Sequence, residues 1–193
     1  MSDVYLYVYD LSIGLVKKVS KKILGKQIDG IWHTSIVAFG TEYWFAMNGF
    51  NEKRPSPIEP NEKIYLGYTE LTKLEFHNVL EKQIEDGSYE FGDYNLFTHN
   101  CNSFSNDLSI KLFEKPNPAY IMDLPKTAIT DLMNAPVIGH LFIKLYKKWL
   151  ETDFNENEIS TSMKYLENQF NDDNHDDDCK SLEEVVSILT NIV

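Results

Sequence analysis

The alternation of apolar and polar residues divides the first seventy residues into strands. Residues 4–9, 31–39, 41–47 and 63–68 are rich in aromatic and β-branched side chains, which favour strands. Gly40 separates the second strand from the third, and this spacing predicts a hairpin. Residues 48–62 are polar and contain three prolines, so we expect a loop there.

Helical patterns lie between and after these strands. Ser12 is expected to cap a helix over residues 13–24, with Gly25 as its stop. Thr72 and Glu75 have the spacing of a capping box, in which each side chain satisfies a free backbone amide at the helix start. That second helix is predicted to run to Asp86 and to end at the following glycine.

The second half of the chain is predicted to be mostly helical. Residues 94–97 read as a short extended run, after which Phe104, Leu108 and Leu112 recur every four residues and predict a helix with one buried side. Asp123 is expected to cap a short helix, and residues 137–149 and two stripes in the tail are also amphipathic. The fold class is therefore α+β, an antiparallel sheet packed with helices plus a C-terminal helical extension.

The charge of the chain is concentrated in its tail. The formal charge is −12, but residues 1–150 carry 18 acidic and 16 basic side chains whereas residues 151–193 carry 12 and 2. We therefore divide the chain into a domain over 1–150 and an acidic helical extension over 151–193. The nearly neutral body argues against nucleic-acid binding, which needs a basic surface.

Composition and cysteine usage narrow the compartment. A hydrophobic content of 42% excludes a wholly disordered chain. The N-terminus lacks the features of a secretory signal, and the most apolar stretch, residues 137–150, is too short and too charged to span a membrane. Cys101 and Cys179 match neither a disulfide framework nor a zinc site. We expect a cytoplasmic or nuclear protein without metal, cofactor or membrane partner.

Cys101 and His33 are the candidates for chemistry. Cys101 lies at a predicted helix start, where free amides and the helix dipole favour a thiolate. His33, on a predicted strand, is a natural base for such a thiol, and the pair suits acyl transfer from an amide, isopeptide or thioester. The amide of Cys101 is a candidate donor to the oxyanion. A buried cysteine that acts only as a small hydrophobe is the competing interpretation.

The other histidines are weaker candidates. His99 is two residues from Cys101, which is poor geometry for a base, and we expect it to bond to the backbone. His77 lies within a predicted helix and His140 within an apolar stretch, so both are expected at the surface or in packing.

Three asparagines flank the cysteine. Asn95, Asn100 and Asn102 are each able to orient the histidine or to donate to an oxyanion. Asparagines also cap helices and shape turns, and this structural role is the favoured interpretation.

The acidic tail has some features of a calcium loop. With Asp172 as position 1, Asn174, Asp176 and Glu183 fall at positions 3, 5 and 12. Position 6 requires a glycine for its sharp turn and is Asp177 instead. An acidic linker between two packing helices is therefore favoured over a calcium site.

Four segments resemble the PPPDE family, the permuted papain-fold cysteine peptidases that include desumoylating isopeptidases. They read VYLYVYDLSIGL near the start, LGKQIDGIWHTSIV around His33, YNLFTHNCNSFSNDL around Cys101, and YIMDLP over 120–125. The resemblance spans about residues 3–150, and its histidine and cysteine motifs are far more specific than a lone Cys or His.

The resemblance implies a site, a reaction and partners. Cys101 is the expected nucleophile and His33 the expected general base, and the expected reaction removes ubiquitin or a SUMO-class modifier from protein conjugates. Homodimers are also implied. Two alternatives stay open: a protein S-acyl thioesterase that uses the same dyad, and a non-catalytic adaptor that binds a modifier.

The chain departs from the family pattern after the predicted hairpin. Ala46 and Met47 stand where the family usually has a glycine-rich run, and they would narrow a groove if they lined it. Lys53 and Arg54 in the following loop are candidates to steer an acidic partner, although exposed cations are more often simply solvated.

Overall fold

The computed structural model of the protein describes residues 1–12 and 14–123. Within them five strands and four helices follow one another as β1 (Ser2–Asp10), α1 (Leu15–Leu24), β2 (Trp32–Ala38), β3 (Thr41–Ala46), β4 (Gly49–Lys53), β5 (Glu62–Thr69), α2 (Lys73–Gly87), α3 (Cys101–Phe113) and α4 (Ala119–Met122). The α+β class is confirmed, and the arrangement agrees with a permuted papain-like fold.

All five strands form one antiparallel sheet with the order β4-β3-β2-β1-β5. The β2–β3 connection is the predicted hairpin. Its two turn residues, Phe39 and Gly40, have φ angles of 54° and 69°, the left-handed conformation that matches the twist of the adjoining strands. The hairpin thus places β2, which carries His33, in the middle of the sheet.

The hydrophobic core lies on one face of the sheet, against α2 and α3. Alternate residues of each strand point into it, as the period of two requires. The predicted stripe of α3 is confirmed because Phe104 and Leu108 are fully buried. The sheet contributes Val4, Leu6, Val8, Ile36, Ala38, Tyr43, Phe45 and Leu66, and α2 contributes Phe76 and Leu80. This packing fixes α3 on the sheet.

The first helix begins differently from the prediction. The N-cap of α1 is Gly14, with φ of 79°, and not Ser12. Ser12 instead donates its hydroxyl to Oδ1 of Asp10 at 2.7 Å and accepts from the amide of Val16 at 3.3 Å. The carboxylate of Asp10 also binds the amides of residues 14 and 31, so it organises the turn that a simple cap was expected to make.

Three other elements differ from the expectation. Strand β4 lies inside the segment predicted to be a loop, because pairing with β3 in register makes a strand of polar residues that lack a period-two pattern. Residues 96–98 form a turn closed by the Asn95–His99 bridge where an extended run was expected. Helix α4 was not predicted, since one turn is too short to show periodicity.

The predictions for the rest of the chain lie outside the described residues. These are the helices after Asp123, the acidic extension, the calcium-like loop, His140 and Cys179. The division at residue 150 stays a prediction. Among the residues that the structure describes, no helix is long and apolar enough to cross a membrane.

Candidate active site

Cys101 is the first residue of α3, as predicted. Asn100 caps the helix: its Oδ1 accepts from the amides of Asn102 at 2.9 Å and Ser103 at 3.2 Å. The hydroxyl of Ser103 accepts in return from the amide of Asn100 at 3.2 Å, which completes a capping box. The cap fixes the first helical turn and so holds the thiol at a defined position, 4% exposed.

His33 lies on β2 opposite Tyr9 of β1 and is fully buried. The centroids of the two rings are 6.1 Å apart, with an angle of 36° between their planes. A histidine on a central strand has little freedom, because the ladder fixes its backbone and the neighbouring ring limits its rotamers. The imidazole is therefore held rigidly.

Thr34 brings the cysteine and the histidine segments together. It follows His33 directly, and its backbone N–H donates to the sulfur of Cys101. Its hydroxyl donates to Oδ1 of Asn102 at 2.8 Å and lies 2.6 Å from the hydroxyl of Ser105. The first turn of α3 is therefore bonded to the segment of β2 that contains His33.

The prediction of a ground-state thiolate is wrong. Burial raises the pKa of the Cys101 thiol to about 11, although hydrogen bonds from the backbone of Thr34, Asn102 and Cys101 and from the side chain of Tyr94 favour the thiolate. The cost of removing a charge from water outweighs these donors and the helix start. The cysteine is a neutral thiol at neutral pH.

His33 is neutral as well. Burial and, to a smaller extent, the positive charge of Lys53 lower the pKa of its imidazole to about 3. A neutral thiol and a neutral imidazole are suited to general-base catalysis, in which the proton moves as the sulfur attacks. A preformed ion pair would need a stronger base and a stronger acid than this site contains.

The loop before Cys101 has structural roles. Nε2 of His99 lies 2.9 Å from the carbonyl oxygen of Ser88, and its ring stacks on Tyr89 with 4.4 Å between centroids. Oδ1 of Asn95 accepts from the amides of residues 97 and 98. The predictions that His99 bonds to the backbone and that Asn95 shapes a turn are confirmed, and Asn100 is confirmed as a cap.

Asn102 does more than shape a helix start. Its Nδ2 donates to the carbonyl oxygen of Trp32 at 3.0 Å, while its Oδ1 accepts from Thr34. The sequence indicated Asn102 as a residue that orients the histidine or shapes the backbone, but it contained no sign of which strand residues it would meet.

A buried polar cluster on the other face of the sheet was not found by sequence reasoning. Glu42 is fully buried, and its Oε1 accepts from the hydroxyls of Tyr9 at 3.0 Å and Ser35 at 2.6 Å. Its Oε2 accepts from the amide of Ser56 at 2.9 Å, and burial together with this carboxylate raises the pKa of Tyr9. The cluster stabilises the strand that carries His33 and ties the proline-rich loop to it.

The residues at which the chain departs from the family pattern have separate positions. Ala46 is fully buried at the end of β3, so it lines no open groove, whereas Met47 in the following turn is 61% exposed. Lys53 belongs to β4 rather than to a loop, and its Nζ lies 4.9 Å from the centroid of the Trp44 ring. His77, predicted at the surface or in packing, is half-buried on α2 at 3.5 Å from a carboxylate oxygen of Glu52.

Metal chemistry has no visible ligand set in this part of the chain. Among residues 1–12 and 14–123, no group of three or more His, Cys, Asp or Glu side chains is placed to hold a metal ion.

Comparison with known proteins identifies the class. Residues 2–141 match the model of the PPPDE putative peptidase domain. The chain belongs to the PPPDE family and is a cysteine peptidase of the isopeptidase class.

The names of similar curated proteins agree with this family assignment. The chain is 41% identical over 130 residues to desumoylating isopeptidase 1 of Xenopus laevis, covering 66% of this chain and 76% of that protein. It is 40% identical over 130 residues to desumoylating isopeptidase 1 of Homo sapiens, covering 66% and 77%. A DeSI-like protein of Arabidopsis thaliana is 28% identical over 134 residues, covering 65% and 56%.

Proposed function

We propose that this protein removes a SUMO-class modifier from protein conjugates, with Cys101 as nucleophile and His33 as general base. The observation that carries the proposal is the hydrogen bond from the backbone of Thr34 to the Cys101 sulfur, which brings the thiol to the residue after His33. The two vertebrate relatives named above are desumoylating isopeptidases, which supports the choice of modifier.

The reaction begins with attack of the sulfur on the isopeptide carbonyl. His33 accepts the thiol proton as the carbon–sulfur bond forms, and the carbonyl oxygen becomes an oxyanion. The backbone N–H of Cys101 and the Tyr94 hydroxyl, which both approach the sulfur, are the donors we propose for that oxyanion.

Collapse of the intermediate releases the target lysine. The carbon–nitrogen bond breaks, His33 returns its proton to the leaving amine, and the modifier stays on Cys101 as a thioester. A water molecule then attacks the thioester with His33 again as base, which yields the modifier carboxylate and regenerates the thiol.

The neutral ground state fits this sequence of steps. A thiol with a pKa near 11 is almost entirely protonated at neutral pH, so it needs a base at the moment of attack. The imidazole, whose pKa is near 3, is unprotonated at the same pH and is therefore in the form that accepts a proton. This pairing also protects the thiol from unspecific reaction when no conjugate is bound.

Electrophilic SUMO and ubiquitin probes test the proposal. Wild-type protein and a Cys179→Ser control are expected to form a covalent adduct with the SUMO probe, whereas Cys101→Ala is expected to form none and to keep its folded circular dichroism spectrum. His33→Gln is expected to slow the adduct by about 10³-fold, since it removes the base. Labelling of Cys101→Ala at the wild-type rate would reject the nucleophile.

The same experiment separates the alternatives. Labelling by the ubiquitin probe in preference to SUMO would change the modifier but not the chemistry. Hydrolysis of a fluorogenic acyl thioester without cleavage of either conjugate would indicate a protein S-acyl thioesterase. Binding of a modifier by folded protein without adduct or cleavage would indicate an adaptor. Homodimer formation and the cytoplasmic or nuclear location stay predictions.

A further inference from the structure

The side chain of Asn102 bonds to both neighbours of His33. Its Nδ2 donates to the carbonyl oxygen of Trp32 at 3.0 Å, and its Oδ1 accepts from the hydroxyl of Thr34 at 2.8 Å. The same Oδ1 lies 3.7 Å from the sulfur of Cys101. One amide, on the residue after the nucleophile, thus touches the residues on either side of the base and the nucleophile itself.

The edge of β2 explains why this bridge exists. In the β2–β3 ladder, residues 36–38 of β2 pair with residues 41–43 of β3, and the ladder does not extend to the Trp32–Thr34 end. Backbone groups at a buried strand end need other partners. The Trp32 carbonyl oxygen accepts from the side-chain amide of Asn102, and the Thr34 N–H donates to the sulfur of Cys101. The first turn of α3 therefore completes the strand edge that β3 leaves open.

A second contact supports the same register one turn further along α3. The hydroxyls of Thr34 and Ser105 lie 2.6 Å apart, and both residues are fully buried. Thr34 is thereby bonded to two successive turns of the helix. Asn106, the next residue, does not bond directly to Thr34 in the described part of the chain: its Oδ1 accepts from the backbone of Asn117, whose side chain donates to Ser105.

We propose that Asn102 is a positioning residue for catalysis: it sets the register of the nucleophile helix on the strand of the base by bonding to Trp32 and Thr34. It acts through Cys101 and His33 and does not contact the reacting carbonyl. The inference rests on the proposed function, because it takes Cys101 and His33 as the dyad.

Replacement of Asn102 is the first test. Asn102→Ala removes both bonds, and we expect kcat for a SUMO conjugate to fall about 10- to 100-fold with little change in KM, because loss of alignment by an ångström has effects of that size. Asn102→Asp keeps the acceptor for Thr34 but faces the Trp32 carbonyl with an oxygen, so it should not restore activity. Asn106→Ala, in the same helix, is the matched control and should stay within twofold of wild type in kcat.

The thiol gives a readout that needs no modifier. Iodoacetamide alkylation of Cys101 in a Cys179→Ser background is expected to change its pH profile in Asn102→Ala, because the thiol loses its Oδ1 acceptor and the sulfur loses part of its alignment with the Thr34 N–H. Asn106→Ala should keep the wild-type profile. A lower kcat with an unchanged alkylation profile would overturn the positioning role and would point to Asn102 as an oxyanion donor.

The variant Thr34→Val removes the other partner of the same hydrogen bond. It removes the hydroxyl that donates to Asn102, and the double variant with Asn102→Ala should lose less activity than the product of the two single losses. This variant also serves if Asn102→Ala does not fold. Fully additive losses, or wild-type kcat in folded Asn102→Ala, would overturn the inference, whereas a wild-type protein inactive on every conjugate would reject the proposed function instead.

Discussion

The starts of α2 and α3 are built by the same local device and serve different purposes. Both begin with a capping box, Thr72 with Glu75 in α2 and Asn100 with Ser103 in α3. The α2 start is exposed, and its carboxylate is stabilised there, since hydrogen bonds from Thr72 lower the pKa of Glu75.

The α3 start differs in what surrounds the cap. It contains no acidic residue in its first turn, it is bonded to the end of β2, and it holds a buried thiol. A capping box at the surface satisfies amides and adds stability, whereas a similar box against a strand fixes a reactive group. The difference lies in tertiary contacts, because the local pattern of donors and acceptors is alike.

The largest expected effect concerns the thiol that only the α3 start carries. In a Cys179→Ser background, alkylation of Cys101 by iodoacetamide should rise about tenfold per pH unit from pH 7 to 10, about 10³-fold in all, because the pKa of the thiol is near 11. The same protein unfolded in urea should level off near pH 9. A plateau by pH 8 in the folded protein would mean that the helix start does favour a thiolate.

The next effect concerns the burial of His33, which lies on the strand to which the start of α3 is bonded. The pKa of His33 is about 3 in the folded protein and near 6.5 when unfolded, so the unfolded state binds a proton first as the pH falls. This difference should remove about 2.5 kcal/mol of stability between pH 7 and pH 4.5. Urea unfolding of wild type and His33→Gln at both pH values measures it.

His33→Gln should lose less stability over that pH interval than wild type, even if it is less stable at pH 7. Carboxylates titrate in both proteins and cancel in the comparison. Equal losses would show that the imidazole is protonated in the folded protein, and the neutral dyad would be wrong.

A matched pair of cap variants tests the two helix starts directly. Thr72→Ala and Asn100→Ala should each cost about 1 kcal/mol of stability, the usual cost of losing an N-cap. Only Asn100→Ala should also lower kcat for a SUMO conjugate, about tenfold, because it loosens the turn that holds Cys101.

Asn100→Asp keeps an acceptor for the amides of the first turn and should restore most of the activity of Asn100→Ala. Chemical denaturation and conjugate cleavage measured on the same preparations give both quantities. Equal activity losses in Thr72→Ala and Asn100→Ala would show that global stability, and not the local cap, limits catalysis.

The smallest expected effect concerns charge. At the start of α2 the charge belongs to the capping residue Glu75, whereas the charge that acts on His33 comes from Lys53 on β4. Lys53→Met should raise the pKa of His33 by less than one unit, since the effect of burial remains. An NMR titration of the imidazole should detect the shift, and Arg54→Met, which removes the neighbouring charge, should leave the His33 pKa unchanged.

Much of the fold follows from local pattern. The β2–β3 hairpin, the α2 capping box and the Phe104–Leu108 stripe all depend on neighbours within a few residues, and the structure confirms each of them. Strand β4 was missed because its residues lack a period-two pattern and become a strand only through pairing with β3. The cap of α1 was misplaced because Asp10 takes Ser12 as a partner across the turn.

The sequence by itself indicated Cys101 and His33 as candidates for the chemistry and determined where the helix that carries Cys101 begins, because caps and motifs act over a few residues. Only the tertiary structure decided the protonation states of Cys101 and His33 and the alignment of α3 on β2. Burial raised the pKa of the thiol against the helix start, and the open edge of β2 gave Asn102 and Thr34 their partners. Desolvation and strand-edge contacts depend on residues distant along the chain, which no local pattern contains.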